Sequence, residues 1–252
     1  MSSTLSYVFC LVRSARRPRL RGITDGMPGG SGLRAIEVGD NLWAIVQTVP
    51  ESQYGEGALA RGLQDLEWVG PRAIAHERVI ESFLSAPALL PMQLFTLFTS
   101  DERVSEHVRS DRARITRILT RVEKKVEWGV RLTFNEKSAR EQASKKSVRS
   151  GTEFLSRKRD ILDVNRTRLV AARKTADGVF KSMTQQAAAS QRRTSLERAA
   201  PGSRLLLDAA FLVGADKSRA FKSAIRQQAR ALRGTGVDVS LTGPWPAYNF
   251  IQ

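Results

Sequence analysis

A chain of 252 residues that is 41% hydrophobic and 26% charged is long enough for one large or two small packed domains and too apolar for global disorder. No run approaches the roughly 18 apolar residues of a membrane span, and residues 1–12 lack the basic region that opens a secretory signal. A single cysteine, Cys10, excludes an internal disulfide. These features predict a protein of the reducing cytoplasm, with Cys10 as a small core residue.

The net charge of +16 is unevenly placed. Residues 1–100 hold 9 Lys/Arg and 9 Asp/Glu, residues 101–200 hold 25 against 13, and residues 201–252 hold 7 against 3. The positive second half favours an acidic partner, whether nucleic acid, an anionic membrane face or an acidic protein surface, without choosing among them.

In chain order, residues 5–12 read as a buried strand. Residues 13–31 follow with five arginines and then Gly26, Pro28, Gly29 and Gly30; no apolar period survives there, which predicts a mobile loop or linker. Residues 33–38 and 42–49 flank Gly39-Asp40-Asn41, the mark of a short hairpin, and Pro50 ends its second strand. Leu59, Leu63, Leu66 and Val69 recur at helical spacing, then Ile74, Val79, Ile80, Phe83 and Leu84 do so again. Pro71 is expected to start that second helix, in the first turn where proline is tolerated, with His76 near its beginning.

The most apolar stretch, residues 88–100, suggests a strand covered on both sides through Leu94, Phe95, Leu97 and Phe98, with Pro91 at its entry. Ser100-Asp101-Glu102 caps a following helix whose apolar face runs from Val104 to Val122. Residues 126–134 alternate cleanly through Val126, Trp128, Val130, Leu132 and Phe134, as a strand does.

Residues 135–199 form a charged helical region with 16 Lys/Arg and 7 Asp/Glu, in which Leu155, Leu162, Leu169, Ala176 and Met183 repeat every seven residues as a helix seam. Gly151 is expected to break it near its start and Pro201-Gly202 to end it. Residues 205–213 read as an apolar strand with Asp208 the lone polar intruder, and Phe221, Ala224, Ile225, Ala229 and Leu232 mark a last helix. Val237, Val239 and Leu241 alternate with polar residues as a half-buried strand, which Gly243 is expected to break. Pro244 and Pro246 then stiffen a tail carrying Trp245, Tyr248 and Phe250. Such a tail either packs back on its own domain or meets a partner.

The expected fold class is α+β, in two modules of a small mixed sheet packed on helices. Residues 1–125 form the first, with the basic loop 13–32. Residues 126–243 form the second, with the helical insertion 135–199, and residues 244–252 form the tail. No catalytic, cofactor or metal site is expected. The glycines near residue 30 lack the Lys-Ser/Thr of a phosphate loop. One cysteine and two distant histidines, His76 and His107, make no standard zinc set, and nothing pairs a nucleophile with a base.

The ordered stretches Tyr7-Val8-Phe9, Leu90-Pro91-Met92-Gln93-Leu94-Phe95, Glu127-Trp128-Gly129-Val130, Leu207-Asp208-Ala209-Ala210-Phe211 and above all Gly243-Pro244-Trp245-Pro246-Ala247-Tyr248-Asn249-Phe250 resemble the gas vesicle protein F/L family. The resemblance implies two ferredoxin-like modules and no enzyme. It implies an accessory protein or assembly factor of gas vesicles that contacts the small hydrophobic shell protein and other accessory proteins. The expected contact residues are Trp245, Tyr248 and Phe250 of the tail, or Leu155, Leu162 and Leu169 of the seam. A basic nucleic-acid-binding protein is the alternative, and a membrane-surface role lacks the bulky aromatics it would need on the basic helix.

Overall fold

The computed structural model describes residues 3–23, 26–135, 151–194 and 202–251, the side chains of 151–165 excepted. Contacts divide the chain into two compact units, Met1–Val126 with Trp245–Gln252, and Glu127–Pro244. The chain is a mixed α+β protein whose two sheets each pack on helices.

The first unit contains β1 (Thr4–Arg13), β2 (Ser31–Gly39), β3 (Leu42–Pro50), α1 (Glu51–Tyr54), α2 (Glu56–Gly62), α3 (Leu66–Glu81), β4 (Ala88–Pro91), β5 (Leu97–Phe98), α4 (Asp101–Ser110) and α5 (Arg112–Val122). Its strand order is β2-β3-β1-β4, and β5 pairs with β1 along the edge that β4 occupies further on. The pairs are antiparallel. A register shift in β1 between Val8 and Cys10 makes Phe9 a bulge. Tyr7, Phe9, Cys10 and Val12 therefore all join one cluster with Ile45, Val49, Ala75, Val79 and Ile80, since an extra residue flips the side-chain alternation. Helix α3 covers that face, while α4 lies against β1 and β2 and α5 against β4. Cys10 is fully buried, and burial pushes its thiol well up.

Several expectations change here. Pro71 lies inside α3 rather than at its start, because the cap comes earlier: the Asp65 carboxylate accepts from Glu67 N at 2.9 Å. The apolar spacing of Leu63 and Leu66 does not face the core, and Leu66 is 86% exposed. The stretch 88–100 is not one strand. Pro91 ends β4, a turn closes with Thr96 N donating to Gln93 O at 3.1 Å, and β5 is separate. Phe95 takes a φ of 65° there, a left-handed conformation that costs an aromatic residue free energy unless its surroundings hold it. The helix capped by Ser100 ends at Ser110, and α5 starts anew after Asp111. The end of loop 14–30 is tied down rather than free: Met27 is 2% exposed, its amide donates to Gln47 Oε1 at 2.7 Å, and the Tyr54 hydroxyl donates to Pro28 O at 2.7 Å.

The second unit is built from β6 (Lys125–Asn135), α6 (Gly151–Thr184), β7 (Ala189–Arg192), β8 (Ser203–Gly214), α7 (Ser218–Ala231) and β9 (Val237–Trp245). Its order is β7-β8-β6-β9. Numbered within each unit, both sheets run 2-3-1-4, the split βαβ arrangement of ferredoxin-like folds. In the first unit loop 14–30 replaces the first crossover helix. The expected helix end at Pro201-Gly202 is wrong: α6 stops at Thr184, and β7 follows as an antiparallel partner of β8. Four residues of β7, Ala-Ser-Gln-Arg, carry no apolar period to announce a strand. Gly243 does not break β9 either; with a φ of 113° it is passed within the strand, which continues to Trp245.

Candidate partner-binding surfaces

In the first unit a buried polar pin sets the wall of a cleft. His76 Nε2 lies 3.2 Å from Met92 O and so carries the proton; Nδ1 then accepts from the Tyr7 hydroxyl at 2.8 Å. The same hydroxyl accepts from Phe95 N at 3.1 Å, which is what holds Phe95 in its left-handed conformation. The His76 ring also stacks on Phe9, centroids 5.8 Å apart. Burial pushes the His76 pKa down to about 4, only partly offset by the bond to Met92, so the ring is neutral at pH 7. Burial likewise pushes the Tyr7 hydroxyl well up. The pin thus joins β1, α3 and the 92–96 turn through uncharged groups.

Beside it lies a cleft of about 810 Å³ lined by His76, Glu77, the 90–98 stretch, residues of α4 and α5, Tyr248 and Ile251. The last residues of the chain close it. Pro246 and Ala247 are buried, and Tyr248–Phe250 forms a short 3-10 turn. The Tyr248 hydroxyl donates to Glu77 Oε2 at 2.6 Å, and Arg121 Nη1 donates to Phe250 O at 3.3 Å. Burial, then the bond to the Glu77 carboxylate, pushes the Tyr248 hydroxyl up. Phe250 is 6% exposed and Trp245 is 37% exposed.

In the second unit Asp208 on β8 is 6% exposed and lies between two guanidiniums. Arg193 Nε donates to Oδ1 at 2.9 Å and Arg131 Nη2 to Oδ2 at 3.0 Å. Burial raises the Asp208 pKa, but the hydrogen bonds from Arg193 and Arg131 outweigh it and leave the pKa lowered. Gly129 makes room for this cluster: a Cβ there would stand 2.5 Å from Thr242 Oγ1 and 3.2 Å from Arg193 Nη2. The neighbouring Trp128 is buried, with Nε1 donating to Ser218 Oγ at 3.3 Å.

The expected contact residues are therefore divided. Trp245 presents surface, Tyr248 is half-buried and bonded to Glu77, and Phe250 is core, so the three rings do not form one open face. The side chains of Leu155 and Leu162 lie outside the described residues. Leu169 is half-buried, and the seam continues inward as Ala172, Ala176, Val179 and Met183, all buried. His107 packs against Phe98 at 5.2 Å. Among the described residues no group of three His, Cys, Asp or Glu could hold a metal ion, and no helix is long and apolar enough to cross a membrane. One feature of α7 escaped the sequence reading, which followed only its apolar residues: its cations also recur at helical spacing.

Fold and surfaces together define a two-unit α+β protein with a split βαβ sheet in each half. The family model described as "Gas vesicle synthesis protein GvpL/GvpF" matches residues 5–252. The chain belongs to that family. It is 29% identical over 243 residues to gas vesicle protein L of Streptomyces sp. (strain CB03234), covering 88% of this chain and 84% of the relative. Its fold is similar to the crystal structure of GvpF from Anabaena sp. PCC7120, with a TM-score of 0.68, 14% identity and 99% and 97% of the two chains covered. It is also similar to that of GvpF from Microcystis aeruginosa, with a TM-score of 0.64, 12% identity and 100% of both chains covered.

Proposed function

We propose that this protein is a non-enzymatic, cytoplasmic accessory factor of gas vesicles that engages the hydrophobic shell protein, with other accessory proteins, while vesicles are being formed. The observation that carries this reading is the family match along residues 5–252. The physical setting supports it. A shell subunit with a water-excluding face is prone to aggregate before assembly, and a helper needs apolar contact surface together with enough charge to stay dispersed. The net charge of +16 and the half-open Trp245 ring meet those two needs.

Because Phe250 and Tyr248 are part of the first unit's packing, removing the whole tail would disturb the fold, and Trp245→Ala is the cleaner probe. Full-length protein is expected to retain the shell protein in a pull-down, with capture reduced about ten-fold by Trp245→Ala at unchanged thermal stability, as for a hot-spot aromatic. Capture by neither protein would refute the shell contact; equal capture by both would remove Trp245 from it.

A further inference from the structure

Helix α7 carries a cationic stripe. Arg219, Lys222, Arg226 and Arg230 follow one another at three- and four-residue steps, and Arg233 continues the line in the turn after the helix. At roughly 100° per residue the four helical cations fall within about 80° of the circumference and span about 16 Å of axis. Phe221 and Ile225 face the other way and are buried. The segment 218–233 contains no Asp or Glu. Among the described residues none of these four arginines makes an ion pair, whereas Arg112 and Arg114 of α5 pair with Asp40 and Asp111. Lys222 lies over the Trp128 ring at 5.4 Å.

The stripe does not serve the helix that bears it. Cations near a helix C-terminus complement the dipole, which accounts for Arg230, but Arg219 stands in the first turn, where a positive charge opposes the dipole. Lys222, Arg226 and Arg230 are like charges four residues apart, a spacing that repels. A row that weakens its own helix and has no counter-charge among the described residues calls for an external one.

We propose that α7 docks an acidic segment of another protein, a helix with carboxylates repeating at three and four residues. This does not depend on the shell contact proposed above. A narrow straight row matches the side of one helix. Duplex DNA, by contrast, offers two phosphate rails that a groove-bound helix meets on both flanks. Single strands need stacking rings, and Phe221, the one aromatic on α7, is buried.

The test uses the full chain and three probes at about 0.15 M salt, where exposed charges more than about 8 Å apart are largely screened: a synthetic amphipathic helix with Glu at the stated spacing, the same peptide with Gln, and a short DNA duplex. The Glu peptide is expected to bind. Arg226→Gln/Arg230→Gln should weaken it at least about ten-fold, and Arg226→Lys/Arg230→Lys should restore most of it, with thermal stability unchanged throughout. Equal binding of the Gln peptide, tighter binding of DNA, or indifference to the Gln variant would each overturn the proposal.

Discussion

Asp208→Ala is expected to destabilise the second unit by about 3 kcal/mol, the low end of the range for breaking a buried ion pair. The low end applies because the side chains of Arg131 and Arg193 keep 34% and 29% of their surface in water, where solvent takes over part of the lost partner. The carboxylate is the common acceptor of two guanidiniums reaching it from β6 and from just beyond β7, and its loss leaves both without the acceptor they share. Hydrogen exchange should show faster opening of β8 and β6 amides, with β1 and β3 unchanged. Uniform acceleration in both units, or none, would mean that the cluster does not hold the second sheet.

The second large effect is one of pH in the first unit. His76 titrates at about 4 when folded and at about 6.5 when unfolded. A depressed histidine pKa means that the unfolded chain takes up a proton the folded chain refuses. The contribution is therefore fully present above pH 6.5 and declines as pH falls toward 4. The span corresponds to about 3 kcal/mol. The lowered carboxyls among the described residues, Asp101, Glu102 and Asp208, lose their contribution in the same direction but only from about pH 5 downward, so the part of the slope between pH 6.5 and about 5 reports His76. Urea midpoints for wild type should fall across that interval, and His76→Gln should remove most of the slope while lowering stability at pH 7. Parallel pH profiles for the two proteins would contradict a neutral, buried His76.

Much of the architecture was legible because burial leaves a period in the sequence. The buried run of β1, the hairpin of β2 and β3, the strand β6 and the Ser100 cap emerge as expected. What was not legible depended on contacts distant in sequence. β7 is polar and pairs only because β8 lies beside it, and the 92–96 turn is fixed by Tyr7 and His76, residues far from it in sequence. The tail rings looked like a single unit in the sequence, yet Phe250 is buried while Trp245 is half-open, a division that only packing decides. Asp208 stood out as a polar residue in an apolar strand, but its arginine partners could not be assigned without the strand order.

The most direct test of the role assigned here is removal of the gene from cells that otherwise make gas vesicles, followed by electron microscopy and flotation. The account predicts cells that sink and contain no normal vesicles, restored by the intact gene. Normal buoyancy and normal vesicles without it would contradict the account.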